Sequence, residues 1–304
     1  MATGAATALK ADERRVWDAP ERPAALERFY RQLMAMDKLP SAPEVAQKML
    51  VLVNKDDVDF RQLAAMIEKD PSLAARLLRI ANSALFATRS KVSSVTHAVT
   101  MLGAKRVREL VLGLSVWGAL DPKSVNGKRY RKQLWTHAAT VAAAARILAG
   151  KGGMDGSEAF TAGLLHDIGK LVLGLRLGDT YWAMLDEAHA AGRPAADVEM
   201  EAFGCHHGLV GGWLLQLWRL PSGLVDAIAL HHEALDPAFG IDTSALIAVA
   251  DRLVHATKSD GETSAELVEE VRAFAPGLLD PEQWKEIYAE IVAEQAAVSG
   301  MFEG

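Results

Sequence analysis

Apolar residues recur at three- and four-residue spacing along nearly the whole chain, and no stretch alternates in the manner of a β-strand. This periodicity predicts an all-α protein, a bundle of some twelve helices. Several predicted helix starts carry capping chemistry. Ser41 with Glu44 has the spacing of a capping box and opens a helix with Val45, Met49, Leu52 and Val53 on its inner face. Asp59 with Gln62 repeats the device ahead of Leu63, Met66 and Ile67. Asp70-Pro71 reads as an N-cap and first helical residue, because proline lacks only an N–H that would be unpaired there. Asp280, Pro281 and Gln283 reuse this pattern near the C-terminus. Gly103 suits a helix end, and Gly152-Gly153 a break. The polar stretch from Asp121-Pro122 to Lys132 reads as a linker between two helical subdomains. The expected layout is a loose tail over 1–22, helical halves over 23–120 and 133–260, and terminal helices over 261–304. The first half opens on the amphipathic stretch at 25–37.

Half the residues are hydrophobic and about a quarter charged, as in ordinary globular proteins. The formal net charge of −6 and pI near 5.9 argue against broad nucleic-acid or anionic-membrane binding. Cys205 is the sole cysteine, so no intramolecular disulfide can form and a reducing compartment is expected. The N-terminus carries charges where a signal peptide needs its apolar core. Arg146, Asp251 and Arg252 interrupt the longest apolar runs, so the expectation is a cytoplasmic protein without membrane association.

A dispersed set of histidines and aspartates then changes the picture: His137, His166, Asp167, His207, His231, His232 and Asp251, each in a segment that reads as helix or helix end. His166-Asp167 interrupts an apolar run, and such a pair is costly to bury without partners. Adjacent helical residues point about 100° apart, so the pair could hold one ion from two sides while the second carboxylate oxygen reaches another. Lys170 falls on the same face and suits an anionic ligand such as a phosphate. Imidazoles with carboxylates favour zinc, iron, nickel or manganese over calcium. The set suffices for one or two ions, and a two-metal site can clamp both oxygens of a phosphoester displacement. Lys170 and Asp167 are then the candidate catalytic residues. A structural alternative stands beside this, in which Lys170 simply neutralises Asp167. His97, His189 and His255 read as ordinary core or surface histidines, and His206 as a surface neighbour of His207.

Segments on both sides of the linker resemble a known family. LPSAPEVAQKML, MIEKDPSLAARLLRIANSALF and SSVTHAVTMLGAKRVRELVL have the order and spacing of the HDOD signature, over about residues 39–112. WTHAATVAAAARIL, LLHDIGKLVL, EAFGCHHGLVGGWLLQLWRLP and AIALHHEAL continue it, so that about residues 30–260 are covered. The resemblance implies an all-helical fold like that of HD-superfamily phosphohydrolases and a role as a regulatory output module in bacterial signalling. It matches His137 to the upstream histidine, His166-Asp167 to the HD pair, and His207 with Gly211 to an HxxxG step. His231-His232 match an HH pair and Asp251 the distal aspartate. The same pattern is similar to the HD-GYP cyclic dinucleotide phosphodiesterases, including an upstream glutamate that falls here on Glu201. The chain departs where those enzymes carry DGxGYP: after His231-His232-Glu233 it reads ALDPAFG. The resemblance therefore implies metal binding and does not extend to cyclic di-GMP hydrolysis.

Three readings follow. The chain is a regulatory module that binds a protein partner or nucleotide, or a metal-dependent phosphohydrolase of a nucleotide or cyclic dinucleotide, or a metal-free helical scaffold. A homodimer through the terminal helices is compatible with each. The basic run Lys128, Arg129, Arg131 and Lys132 reads as solvated linker, with phosphate contact as its alternative. Trp135, Trp213 and Trp218 read as core, Asn82-Ser83 as a helix end, and Cys205 as a buried inert thiol.

Overall fold

The computed structural model describes residues 27, 29–31, 42–53, 59–82, 91–233, 241–257, 263–274, 283–289 and 291–292. Every regular element among them is helical. In chain order these are α1 (Glu44–Val53), α2 (Phe60–Ile67), α3 (Pro71–Ala81), α4 (Val95–Leu102), α5 (Ala104–Ala119), α6 (Val125–Lys151) and α7 (Gly156–Leu165). They continue with α8 (Ile168–Leu177), α9 (Asp179–Ala190), α10 (Ala195–Phe203), α11 (His207–Leu217), α12 (Ser222–Ala229), α13 (Thr243–Ala256) and α14 (Ala265–Phe274). The Ser41 cap, the Asp280-Pro281 device, the tail over 1–22 and the ALDPAFG segment lie outside the described residues.

The expected caps are made where they are described. Asp59 accepts from the Arg61 amide, and Asp70 accepts from Ser72 and Leu73 ahead of Pro71. Gly103 ends α4 at φ 85°, a left-handed conformation that costs a glycine little. Asn82 closes α3, its side chain bonding Leu78 O and both backbone groups of Val92.

One expectation needs correction. The stretch 121–132 is a linker only at its start, because Ser124 caps a helix that begins at Val125 and runs 27 residues to Lys151. The basic run is the first turns of α6. Arg131 reaches back to the carbonyls of Trp117 and Leu120, and Arg129 pairs with Asp186 on α9. The charges that read as solvated linker thus tie three helices together.

The alanines of α6 let α7 lie almost against its backbone: a Cβ on Gly163 would come 2.7 Å from Ala142 Cα. From the N-terminal half, α5 packs on the same layer. Trp117 stacks edge-on against Trp135 and donates its Nε1–H to Leu164 O at 2.7 Å. Trp135, Trp213 and Trp218 are all buried, as expected of core. A second close approach positions the histidines. A Cβ on Gly169 would sit 1.9 Å from His207 O and 2.7 Å from Gly211 N, so only glycine allows α8 and α11 to meet there. That contact sets the start of α11 beside the start of α8.

Candidate metal centre

The HD pair lies at a junction of two helices and not within one. His166 caps the C-terminus of α7 and Asp167 the N-terminus of α8, with Asp167 at φ −93°, ψ 6°. His137 comes from the middle of α6, His207 from the first position of α11, His231-His232 from the turn after α12, and Asp251 from α13. Apart from His137 and His232, which are half-buried, these residues are buried.

Partners that can only accept a hydrogen bond fix the inner histidines. His166 Nδ1 lies 2.7 Å from Gly163 O, and His231 Nδ1 lies 2.7 Å from Ile228 O. A carbonyl oxygen accepts, so both Nδ1 atoms carry the proton and both Nε2 atoms present lone pairs. Neither Nε2 has a hydrogen-bond partner although both are buried. His207 is held in the same manner by a carboxylate. Glu199 Oε2 accepts from its Nδ1 at 2.7 Å and from its backbone N–H at 2.6 Å, while Tyr181 donates to Glu199 Oε1. His207 Nε2 then faces Asp167 Oδ1 at 2.9 Å and His232 Nε2 at 2.7 Å. The outer side is looser. Asp251 Oδ1 lies 2.8 Å from His137 Nε2, 3.0 Å from His255 Nδ1 and 3.6 Å from His166 Nε2.

This is a set of electron-pair donors aimed into shared space, backed by acceptors that lock their tautomers, as metal-ligating histidines usually are. Three groups bring ligand atoms within 4.8 Å of one another: His207, His231 and His232; His137, His166 and Asp167; and His137, Asp251 and His255. The last two share His137, and the 2.9 Å approach of His207 to Asp167 joins the first to them, so all seven candidate ligands fall in one cluster. The residues fit a bound cation, since the orphaned Nε2 atoms of His166 and His231 are otherwise unexplained.

The charges agree. Burial raises the Asp167 carboxyl, yet Lys170 and the hydrogen-bonded His207 hold it well below the usual range. Burial and the neighbouring histidines push His231 and His232 far down, which keeps them neutral. Burial also works against the Lys170 ammonium, but Asp167 at 2.8 Å and the Glu199 charge keep it protonated. His207 has a carboxylate at each ring nitrogen, and these outweigh burial and raise it. The position between His207 and Asp167 is built for a positive charge, whether proton or metal ion.

A cleft of about 520 Å³ opens onto this cluster. His137, Asp167, Lys170 and His255 reach its lining, with Arg129, Tyr130 and Arg193 among its wall residues. Arg129 is paired with Asp186 and Arg193 with Glu201, both pairs partly exposed.

Several assignments change in the structure. Glu201, expected as the upstream glutamate, is exposed on Arg193, whereas Glu199, two positions earlier on α10, is fully buried against His207. His255 was expected to be an ordinary histidine, yet it contacts Asp251 and faces the cleft. His189, expected in the same class, also lines the cleft. His206 is buried and not a surface residue, edge-on to His232. Cys205 is fully buried, its thiol pushed up to about 12 by burial and Glu199, and belongs to none of the three groups.

The chain is similar to a protein of Treponema pallidum (strain Nichols) of uncharacterised function, 24% identical over 201 residues, which are 64% of this chain and 38% of that relative. Among solved structures it resembles a proposed phosphohydrolase from Shewanella amazonensis SB2B, with TM-score 0.71, 26% identity and coverage of 91% of this chain and 98% of the other. An HDOD domain protein of unknown function from Geobacter sulfurreducens matches with TM-score 0.70 and 25% identity, over 90% and 97% of the two chains. The model of the HDOD domain matches residues 39–234, well over half of the sequence. This chain belongs to the HDOD domain family.

Proposed function

We propose that this protein is a regulatory HDOD protein whose histidine–aspartate centre holds one or two transition-metal ions. Its cleft binds a phosphate-bearing small molecule, such as a nucleotide, and its state is read by a protein partner. The observation that carries this is the locking of three buried histidines by Gly163 O, Ile228 O and Glu199, which leaves each Nε2 facing inward. The Nε2 atoms of His166 and His231 have no hydrogen-bond partner, which is costly without a cation to receive their lone pairs. Five imidazoles and two carboxylates suit iron, manganese, nickel or zinc. His207, His231 and His232 would hold an ion on the inner side, and His137 with Asp251 one on the outer side. Asp167 stands between the two groups.

Lys170, Arg129 and Arg193 supply positive charge to the cleft, which favours phosphate. The two arginines give up only partly exposed carboxylate partners, and such pairs contribute little. A cytoplasmic setting is part of the same proposal, supported by the single buried thiol. Among the described residues no helix is long and apolar enough to cross a membrane.

A second reading, metal-dependent phosphoester hydrolysis, is favoured by one observation. Asp167, His137 and Lys170 face the cleft directly, so a ligand phosphate could reach the centre. Bound metal would supply an activated water and polarise a phosphoryl oxygen. Lys170 would hold the phosphate charge, and the residues around the centre would fix the orientation.

The test is nucleotide binding and turnover by the metal-loaded protein, with cyclic dinucleotides included. Binding without hydrolysis, weakened in K170A, is the expected result. Hydrolysis abolished in D167A would move the second reading to the front. Absence of any binding would overturn the ligand part of the proposal.

A further inference from the structure

Apart from the cleft at the metal centre, the first turns of α5 and α7 meet the last third of α6 around a second cavity of about 320 Å³. Arg106 and Glu109 face it from α5, Arg146 from α6, and Ser157, Phe160 and Thr161 from α7. Glu109 and Thr161 present oxygen atoms that the fold leaves unused. Thr161 is only 2% exposed, and neither its Oγ1 nor the buried Oε2 of Glu109 has a hydrogen-bond partner. The Thr161 hydroxyl is unlike its counterparts. Ser115 and Thr140, also helical and buried, each bond the carbonyl one turn back, at 2.7 and 2.9 Å. Helical hydroxyls commonly make that bond, so its absence at Thr161 marks a group free to serve something in the cavity. Glu109 and Thr161 also line an adjoining space of about 230 Å³, so both stand between two voids.

We propose that this cavity is a second ligand site, taking a small acid that also carries an N–H donor. Arg106 and Arg146 supply the charge that an acidic group requires, Glu109 Oε2 and Thr161 Oγ1 accept from the N–H, and Phe160 offers an apolar wall. A free amino acid and a nucleoside monophosphate share this chemistry. Burial, outweighing a Ser157 hydrogen bond and the Lys105 charge, lifts the Glu109 carboxyl to about 7, while its Oε2 stays unpartnered. Placement gives such a ligand a route to the rest of the molecule. It would grip the first turn of α7, the helix whose C-cap is His166, and α6, which also carries His137.

The experiment is calorimetric titration of the full-length protein with three probes: inorganic phosphate, L-glutamate and guanosine 5′-monophosphate. The expected result is binding of glutamate or the nucleotide to one site that persists in K170A, beside any nucleotide bound at the metal-centre cleft, with phosphate alone much weaker. Binding of glutamate alone assigns the site to amino acids, and of the nucleotide alone to nucleotides. E109Q and T161V should each weaken that binding roughly tenfold. K170A, in the other cleft, should leave it unchanged, which separates this site from the one under Proposed function. Valine replaces an unpaired hydroxyl with a methyl of like shape, so T161V should fold with an unchanged or higher Tm. The proposal is overturned if none of the probes binds, if binding survives T161V but is lost in K170A, or if T161V lowers Tm.

Discussion

The inner and outer sides of the histidine cluster use the same residue types and are built differently. On the inner side His166, His207 and His231 are fully buried, and each is oriented by a hydrogen bond to a group that can only accept. On the outer side His137 is 20% exposed and His255 is 61% exposed, and both share a single oxygen of Asp251. Fixed orientation with burial favours permanent retention of an ion. Partial exposure on a cleft favours exchange, of water for ligand. The difference suggests a centre whose floor is structural and whose rim is responsive.

Substitutions on the two sides should therefore separate. The largest effect is expected for D167A, which removes the carboxylate between them and strands Lys170 in the interior. It should lose metal and about 3–5 kcal/mol of stability, read by elemental analysis and denaturant unfolding. Unchanged metal content in D167A would remove Asp167 from the ligand set. Next comes E199Q, which alters the support of His207 and leaves every candidate ligand in place. Metal affinity should fall about 10–100-fold with the fold retained, because the glutamine no longer fixes the imidazole as an anion does. H255A, on the rim, should change metal affinity little and nucleotide binding measurably. If H255A instead matches E199Q in metal loss, the division into floor and rim is wrong.

The smallest effect concerns a buried acid outside the centre. Burial, with help from Asp155 and Glu158 and against Lys105 and Ser157, lifts Glu109 from 4.5 to about 7. A raised carboxyl contributes stability fully below the unfolded value, and this is lost as pH rises through the folded one. E109Q should thus stabilise the protein relative to wild type above pH 7, by at most roughly 2–3 kcal/mol, and the gain should vanish towards pH 4.5. A gain independent of pH would contradict the origin of that shift in burial.

Much of this was legible in the sequence. Apolar periodicity and caps such as Asp70-Pro71 foretell the helices, because both act within a few residues. The histidine–aspartate set is visible because charged residues interrupt apolar runs, and the structure brings all seven members together with Lys170. Glu199 was not legible, and the reason lies in α10 (AADVEMEAF). Its hydrophobic phase points the wrong way, since Met200 is 47% exposed while Glu199 is buried. His255 sits one turn beyond Asp251, and only the placement of α13 beside α6 brings it near His137. The basic run near 128–132 misled for a related reason: composition shows charge, whereas its helical state depends on Ser124 and on partners far away in sequence.

Metal content is the most direct test of the central claim, measured by elemental analysis on protein purified without chelator and with air excluded. One or two transition-metal ions per chain, lost in D167A, is the result the geometry predicts. A folded, metal-free wild-type protein that takes up none of iron, manganese, nickel or zinc would contradict it.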